Sequence, residues 1–287
     1  MLTSEQKEFL LPRAYNAALR AGKVIMDIYT GHRDFDVDMK SDNTPITIAD
    51  RESHDLIKAY LAKTLVPVLS EEGREMLYSE RQSWDMFWIV DPLDGTKEFI
   101  KGNNEFTVNI ALIVDGRPEL AVVYVPYIRK LYYSERGEGS VVIEQVAPDA
   151  AADIAYADLK AMGRKLPLHP RCNAPIRIAV SRSHNTYETY AYINRIKAEY
   201  PDAEIVEQGS SYKFCMLAEG VVECYVRTTD TYEWDTAAGE LILEEAGGRT
   251  LSLPGREDFS YNKESLVNPH FYCMSPHFLD GPALDTL

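Results

Sequence analysis

The chain has 287 residues, 45% hydrophobic and 26% charged, a composition that excludes both a disulfide-stapled mini-domain and a disordered segment. Lys and Arg number 30 against 45 Asp and Glu, for a formal charge of −15, which excludes a general nucleic-acid binder because that affinity rests on a basic footprint. It does not exclude a small phosphorylated ligand, since a few bound cations can invert the local field.

Leu10, Ala14, Ala17, Ala18, Ala21, Val24, Ile25 and Ile28 recur at helical spacing and predict an amphipathic helix over most of residues 4–30. Pro12 is expected either to kink it or to mark the first turn of its main segment. Residues Met1 to Leu11 contain Glu5 and Glu8 and no basic stretch leading into an apolar core, so no signal peptide is expected. A loop with Pro45 leads to a second helix from about Asp50 to Leu65, ending before Pro67. Val66–Leu69 and Met86–Val90 read as buried strands. The first ends in Ser70-Glu71-Glu72 and the second at Asp91-Pro92, so carboxylates emerge at both C-terminal ends.

Phe106–Val114, a turn at Asp115-Gly116, Leu120–Val125, Leu131–Ser134 and Val141–Gln145 follow as an antiparallel meander. Residues 146–175 have no clear period and read as the crossing between two halves, with a short helix inside. The second half alternates: strand Ile176–Val180, helix Thr186–Tyr200, strand Glu204–Val206, helix Tyr212–Glu219 closed by Gly220, strand Val222–Arg227, helix Trp234–Ala246 closed by Gly247-Gly248, and strands Thr250–Leu253 and Phe271–Met274. The alternation predicts a layered α/β protein with an antiparallel-rich sheet first and a mixed sheet second. No apolar run approaches the ~18–20 residues of a membrane span. Cys172, Cys215, Cys224 and Cys273 form no CxxC pair and read as reduced thiols of a cytoplasmic protein, and the six histidines form no i, i+4 metal pair.

The chemistry concentrates in Trp88-Ile89-Val90-Asp91-Pro92-Leu93-Asp94-Gly95-Thr96-Lys97-Glu98-Phe99-Ile100. Two aspartates three apart stand where a buried strand breaks, and a short helix is expected to begin at Gly95 or Thr96. Carboxylates collect hard cations and helix-start amides collect phosphate, so the turn describes a metal-assisted phosphate site. Taken alone, the same string is a turn with a capping aspartate. Three further segments argue otherwise: Glu71-Glu72 ends another buried strand, Asp235 opens the apolar helix Trp234-Asp235-Thr236-Ala237-Ala238-Gly239, and Lys40 to Asp50 brings a carboxylate to a helix start. Thr47 there fits a helix cap as well as a water contact. Glu71, Asp91, Asp94 and Asp235, brought together, would repel by about 4 kcal/mol per pair at ~4 Å and an effective dielectric of ~20. Such a cluster must protonate or bind cations.

These four segments, in this order, resemble the lithium-sensitive, magnesium-dependent phosphatase superfamily that includes inositol monophosphatase and fructose bisphosphatase. Within it, Asp94-Gly95-Thr96-Lys97-Glu98-Phe99-Ile100, Ser181-Arg182-Ser183-His184 and Gly209-Ser210-Ser211-Tyr212-Lys213-Phe214-Cys215 are similar to the bacterial 3'(2'),5'-bisphosphate nucleotidases of the CysQ type. The resemblance implies an αβαβα sandwich with the active site between two subdomains. Residues 1–160 would carry the antiparallel sheet and most metal ligands, and 161–287 would carry Asp235 and the nucleotide contacts. It implies two or three Mg²⁺ held by Glu71, Asp91, the Leu93 carbonyl, Asp94 and Asp235. Asp50 and Thr96 would orient the attacking water, and the Gly95 and Thr96 amides would bind the scissile phosphate. His184, Ser210, Lys213 and Arg227 would surround the nucleotide, with Lys213 and Arg227 on its 5'-phosphate.

The implied reaction removes the 3'-phosphate of 3'-phosphoadenosine 5'-phosphate by in-line attack of a cation-activated water, giving AMP and phosphate. A role in sulfur assimilation and inhibition by Li⁺ go with it. The partner is then a small nucleotide bisphosphate rather than a nucleic-acid polymer. The sequence leaves open a homodimer and peripheral association with the inner membrane. Activity on inositol phosphates or fructose 1,6-bisphosphate is the alternative on the same fold, and a catalytically silent metal-dependent binding protein is a second. A haloacid-dehalogenase-type site is disfavoured, because its Asp-x-Asp-Gly-Thr is one residue shorter than Asp91 to Thr96. Gly137-Glu138-Gly139 lacks the third glycine and the helix of a dinucleotide fingerprint and reads as a hairpin turn.

Overall fold

The computed structural model describes residues 2–31, 37–40, 45–148 and 153–280. Positions 41–44 of the Lys40–Asp50 segment and 281–287 of the expected second subdomain lie outside the described residues.

Helix α1 (Ser4–Tyr29) opens with a Thr3/Gln6 capping box and runs on through Pro12. Pro12 therefore lies well past the first turn, where Asn16 Nδ2 donates to its carbonyl at 2.7 Å. Strands β1 (Val37–Met39) and β2 (Pro45–Thr47) pair antiparallel and lead into α2 (Ile48–Leu61). There follow β3 (Val68–Ser70), α3 (Tyr78–Arg81), β4 (Met86–Asp94), α4 (Thr96–Lys101), β5 (Thr107–Val114), β6 (Arg117–Val125), β7 (Lys130–Glu135), β8 (Gly139–Ile143), α5 (Tyr156–Lys160) and β9 (Arg164–Lys165). The remainder comprises β10 (Arg177–Ser181), α6 (Tyr187–Glu199), β11 (Glu204–Gln208), α7 (Tyr212–Glu219), β12 (Cys224–Arg227), α8 (Glu233–Glu245), β13 (Arg249–Leu253) and β14 (His270–Met274).

Among the described residues these strands form a seven-stranded sheet in the order β3-β4-β5-β6-β7-β8-β9 and a five-stranded sheet in the order β11-β10-β12-β14-β13. The first is antiparallel except for β3 on β4, and the second is mixed. The expected crossing segment contributes an edge strand as well as its helix, since β9 pairs with β8.

Strand alternation explains the layering, because successive side chains face opposite sides of a sheet. Trp88, Val90, Ile110, Leu112 and Val122 pack on α1 and α2, while Phe87, Ile89, Ala111, Ile113 and Val123 pack on α7 and α8. In the second sheet Ala179, Tyr225, Phe271 and Cys273 close the same middle layer from the other side. Ile178, Val180, Cys224 and Val226 instead meet Tyr192, Ile193 and Ile196 of α6. The result is a five-layer αβαβα sandwich. Full burial of each large apolar side chain contributes roughly 1.5–3 kcal/mol. At Gly22 a Cβ would lie 2.3 Å from the Tyr124 ring, so its absence lets α1 seat against β6.

Candidate active site

Strand β4 does not stop at Asp91. Its register with β5 passes from Asp91↔Asn109 to Asp94↔Thr107, so one extra residue is taken up around Pro92-Leu93. Proline, which cannot donate to the ladder, suits such a bulge. The bulge re-aims two carboxylates at the C-terminal end of the strand. Gly95, at φ 96°, then turns the chain into α4. A Cβ there would lie 2.7 Å from the Glu105 carbonyl oxygen, so glycine is required both by backbone and by space.

One oxygen from each of Glu71, Asp91 and Asp235 lies within 4.8 Å of the others, the one such group among the described residues. They arrive from the end of β3, from β4 and from the first turn of α8. Asp91 is buried, and its Oδ1 accepts from the Leu93 amide at 3.1 Å. Asp235 Oδ2 accepts from the Tyr232 amide at 2.8 Å as part of the α8 cap. Asp94 lines the same pocket but stands outside the trio. Its Oδ2 accepts from the Ser211 amide at 2.5 Å and from Asn109 Nδ2 at 3.4 Å. The Leu93 carbonyl lies 3.3 Å from Thr96 Oγ1.

Burial and mutual repulsion push Asp91 and Asp235 well above the usual carboxylate range. Asp94 is raised by burial, with Lys213 opposing. Lys40 Nζ lies 2.8 Å from Glu71 Oε1 and also contacts Glu72. Burial and Glu71 push Glu72 up to about 7. An all-oxygen, mutually repelling, partly buried donor set fits a hard divalent cation.

Asp50 is buried and fully engaged. Its Oδ2 accepts from the Thr47 amide (2.7 Å) and Thr47 Oγ1 (2.6 Å), and its Oδ1 accepts from Thr96 Oγ1 at 2.8 Å. Thr47 also caps α2, its Oγ1 accepting from the Ala49 amide at 3.1 Å. It is completely buried, so its role here is structural support of Asp50.

The same pocket also carries basic side chains. His184, Ser210, Lys213 and Arg227 all line it, as do Gly95, Thr96 and Lys97. Lys213 Nζ donates to the carbonyls of Ser210 (2.6 Å) and Gln208 (3.0 Å) and sits 5.1 Å from the Tyr225 ring centroid. Burial and the neighbouring Arg227 pull it down to about 8. Arg227 donates to Ser181 Oγ (2.7 Å) and to the carbonyls of Asp230 (3.2 Å) and Thr229 (3.3 Å). His184 Nε2 lies 3.0 Å from Lys97 Nζ. Every residue expected at the site thus lines one pocket except Asp50, which reaches it through Thr96.

Sequence reasoning passed over Asn109, Ser211, Lys40 and Lys97 as participants. Asn109 is a buried amide side chain in a strand that is apolar from Ile110 onward, a signal present in the sequence. Ser211 acts through its backbone amide, which side-chain identity does not disclose.

Residues 6–278 match the inositol monophosphatase family model. The 3'(2'),5'-bisphosphate nucleotidase CysQ of Salmonella typhimurium is 38% identical over 265 residues, covering 91% of this chain and 98% of its own. That of Haemophilus influenzae is 32% identical over 283 residues, 95% of each. Among solved structures, CysQ from Bacteroides thetaiotaomicron, described as a bacterial member of the inositol monophosphatase family, aligns with a TM-score of 0.85 at 41% identity. It covers 94% of this chain and 98% of its own.

Proposed function

The chain belongs to the inositol monophosphatase family, and from that premise we propose that it is a Mg²⁺-dependent 3'(2'),5'-bisphosphate nucleotidase. Such a phosphoric monoester hydrolase converts 3'-phosphoadenosine 5'-phosphate to AMP and phosphate. The observation that carries this reading is a single pocket lined both by carboxylates (Glu71, Asp91, Asp94, Asp235) and by cations (Lys97, Lys213, Arg227). A substrate with two phosphates, one to be cut beside the metals and one to be held by fixed cations, matches both sets of residues. An inositol monophosphate would leave the cations without a phosphate of their own. The CysQ relatives at 32–38% identity support the same reading.

Glu71, Asp91 and Asp235, with Asp94 and the Leu93 carbonyl, would hold two or three Mg²⁺. When bound, these ions lower the pKa of water and stabilise charge on phosphate and leaving group. The remaining roles fall to the protein. Thr96 Oγ has one proton, and the 2.8 Å contact to Asp50 Oδ1 outcompetes the 3.3 Å contact to the Leu93 carbonyl. A Thr96 lone pair is therefore left to accept from the attacking water and orient it. As water adds to phosphorus, its proton can pass to Thr96 Oγ while the Thr96 proton shifts to Asp50. Burial raises the Asp50 pKa and favours that transfer. The Gly95 and Thr96 amides are the donors we assign to the scissile phosphate. Ser210, Lys213 and Arg227 are assigned to the nucleotide, and His184 lines the same pocket.

We further divide the chain into units 1–160 and 161–287, with the pocket taking residues from each. A cytoplasmic location accords with four free thiols, and no helix among the described residues is long and apolar enough to cross a membrane. The decisive assay compares phosphate release from adenosine 3',5'-bisphosphate and inositol 1-phosphate, with and without Li⁺. Faster, Li⁺-inhibited release from the bisphosphate is expected. Faster release from inositol 1-phosphate would replace this reading with the inositol-phosphate alternative.

A further inference from the structure

Resting on the nucleotidase reading, we propose that Lys97 is the side chain that meets the substrate's 5'-phosphate from the α4 side of the pocket, and that His184 is a positioning residue that holds Lys97 there. Lys97 Nζ lies 3.0 Å from His184 Nε2. An ammonium can only donate, so Nε2 is the acceptor and the proton of the neutral ring sits on Nδ1. Burial and the surrounding Arg227, Lys97, Lys213 and Lys101 keep that ring neutral, its pKa lowered to about 4. A neutral imidazole with its Nε2 lone pair committed to a lysine is a poor anion ligand. The lysine it supports is a good one.

Donor counting points the same way. Lys213 has committed two of its three N–H groups to the carbonyls of Gln208 and Ser210. Arg227 has committed three of its five to Ser181 and its own loop. Lys97 has committed one of three. Among the described residues it has no carboxylate partner, because Glu98 accepts from Ser183 Oγ at 2.6 Å and Glu105 takes both arms of Arg182 at 2.7 Å. Those same contacts fasten the loop carrying His184 to α4 and the segment after it, and Lys101 Nζ adds a 3.4 Å contact to Ser183 Oγ. The Lys97 ammonium is thereby fixed before substrate arrives, next in sequence to Thr96, which sits at the reacting phosphate in this reading.

The test measures kcat and KM on adenosine 3',5'-bisphosphate and on adenosine 3'-phosphate, which lacks the 5' group. In Lys97→Met, kcat/KM for the bisphosphate is expected to fall about 10- to 100-fold more than for the monophosphate, mainly through KM, as loss of a charge-assisted phosphate contact requires. Lys97→Arg should recover most of the selectivity. His184→Gln, whose amide oxygen can still accept from Lys97, should cost less than His184→Leu. Equal losses on both substrates, or a selectivity loss larger in His184→Leu than in Lys97→Met, would overturn the assignment. Calorimetric titration of adenosine 5'-phosphate into chelator-treated wild type and Lys97→Met reads the contact without turnover. About tenfold weaker binding is expected, and unchanged affinity counts against Lys97. If wild type releases no phosphate from the bisphosphate, the nucleotidase reading fails on that arm, while the titration still decides Lys97.

Discussion

Thr96 Oγ1 donates to Asp50 Oδ1 across 2.8 Å, joining a side chain that lines the pocket to a buried carboxylate 46 positions earlier in the chain. Asp50 has little freedom in this pair, since Thr47 donates to its other oxygen twice. The direction of the Thr96 hydroxyl is therefore set by the start of α2, on the far side of β4 from the middle helical layer.

Thr96→Ala should lower kcat by about 10²–10³-fold with KM changed far less, the signature of a group that acts on the attacking water. Asp50→Asn should fall in the same range, and the double variant should cost little more than either single one, because the two residues act as one unit. Steady-state kinetics with a double-mutant cycle checks this. Additive losses would separate the two residues.

The carboxylate trio predicts a metal-dependent stability. Adding Mg²⁺ to chelated enzyme should raise Tm, by an amount equivalent to about 2.7 kcal/mol at a hundredfold excess over Kd. Asp91→Asn removes a carboxyl that burial and its acidic neighbours make costly to ionise. It should melt about 2–5 °C higher than wild type without metal and lose most of the Mg²⁺-induced rise. Scanning calorimetry with and without chelator separates the two effects. A variant that Mg²⁺ stabilises as much as wild type would remove Asp91 from the ligand set.

Gly95→Ala should disable the enzyme without unfolding it. The residue needs φ 96°, and the added methyl would meet the Glu105 carbonyl oxygen at 2.7 Å. Relief of that clash moves α4, and Thr96 with it. A loss of at least about tenfold in kcat is expected, with destabilisation of roughly 1–3 kcal/mol. Circular dichroism and denaturant titration alongside kinetics would expose the alternative, a variant as active as wild type.

How much was legible in the sequence follows from which contacts are local. The strands of the meander, α7 and its Gly220 stop, and the turn after β4 are set by neighbouring residues, and their limits fall within a few positions of those expected. Pro12 does not mark a first turn, because tertiary burial holds α1 together past it: Leu10, Leu11 and Ala14 are nearly inaccessible on either side. The four acidic segments were readable as a set. The separation of Asp94 from the trio was not, because it depends on the Ser211 amide, 117 positions away. Lys97 read as part of a motif tail, since its link to His184 spans 87 positions and two sheets.

Outside the pocket, Glu240 on α8 gives the fold a pH dependence. It is 3% exposed, and its Oε2 accepts from the Tyr261 hydroxyl. Burial and the nearby Glu244 push it up to about 8. The unfolded chain ionises this group near pH 4.5, whereas the folded protein keeps it protonated to about 8. Between those values only the unfolded state loses the proton, so the stability this site contributes is complete below about pH 4.5 and declines as pH rises to about 8. Glu240→Gln keeps an acceptor for Tyr261 and cannot ionise. Its Tm should match wild type at pH 5 and exceed it by about 5 °C or more at pH 8. The carboxylates of the active site are common to both proteins and cancel in the difference between the two Tm–pH curves. A difference that stays flat from pH 5 to 8 would mean that Glu240 is already ionised in the folded protein.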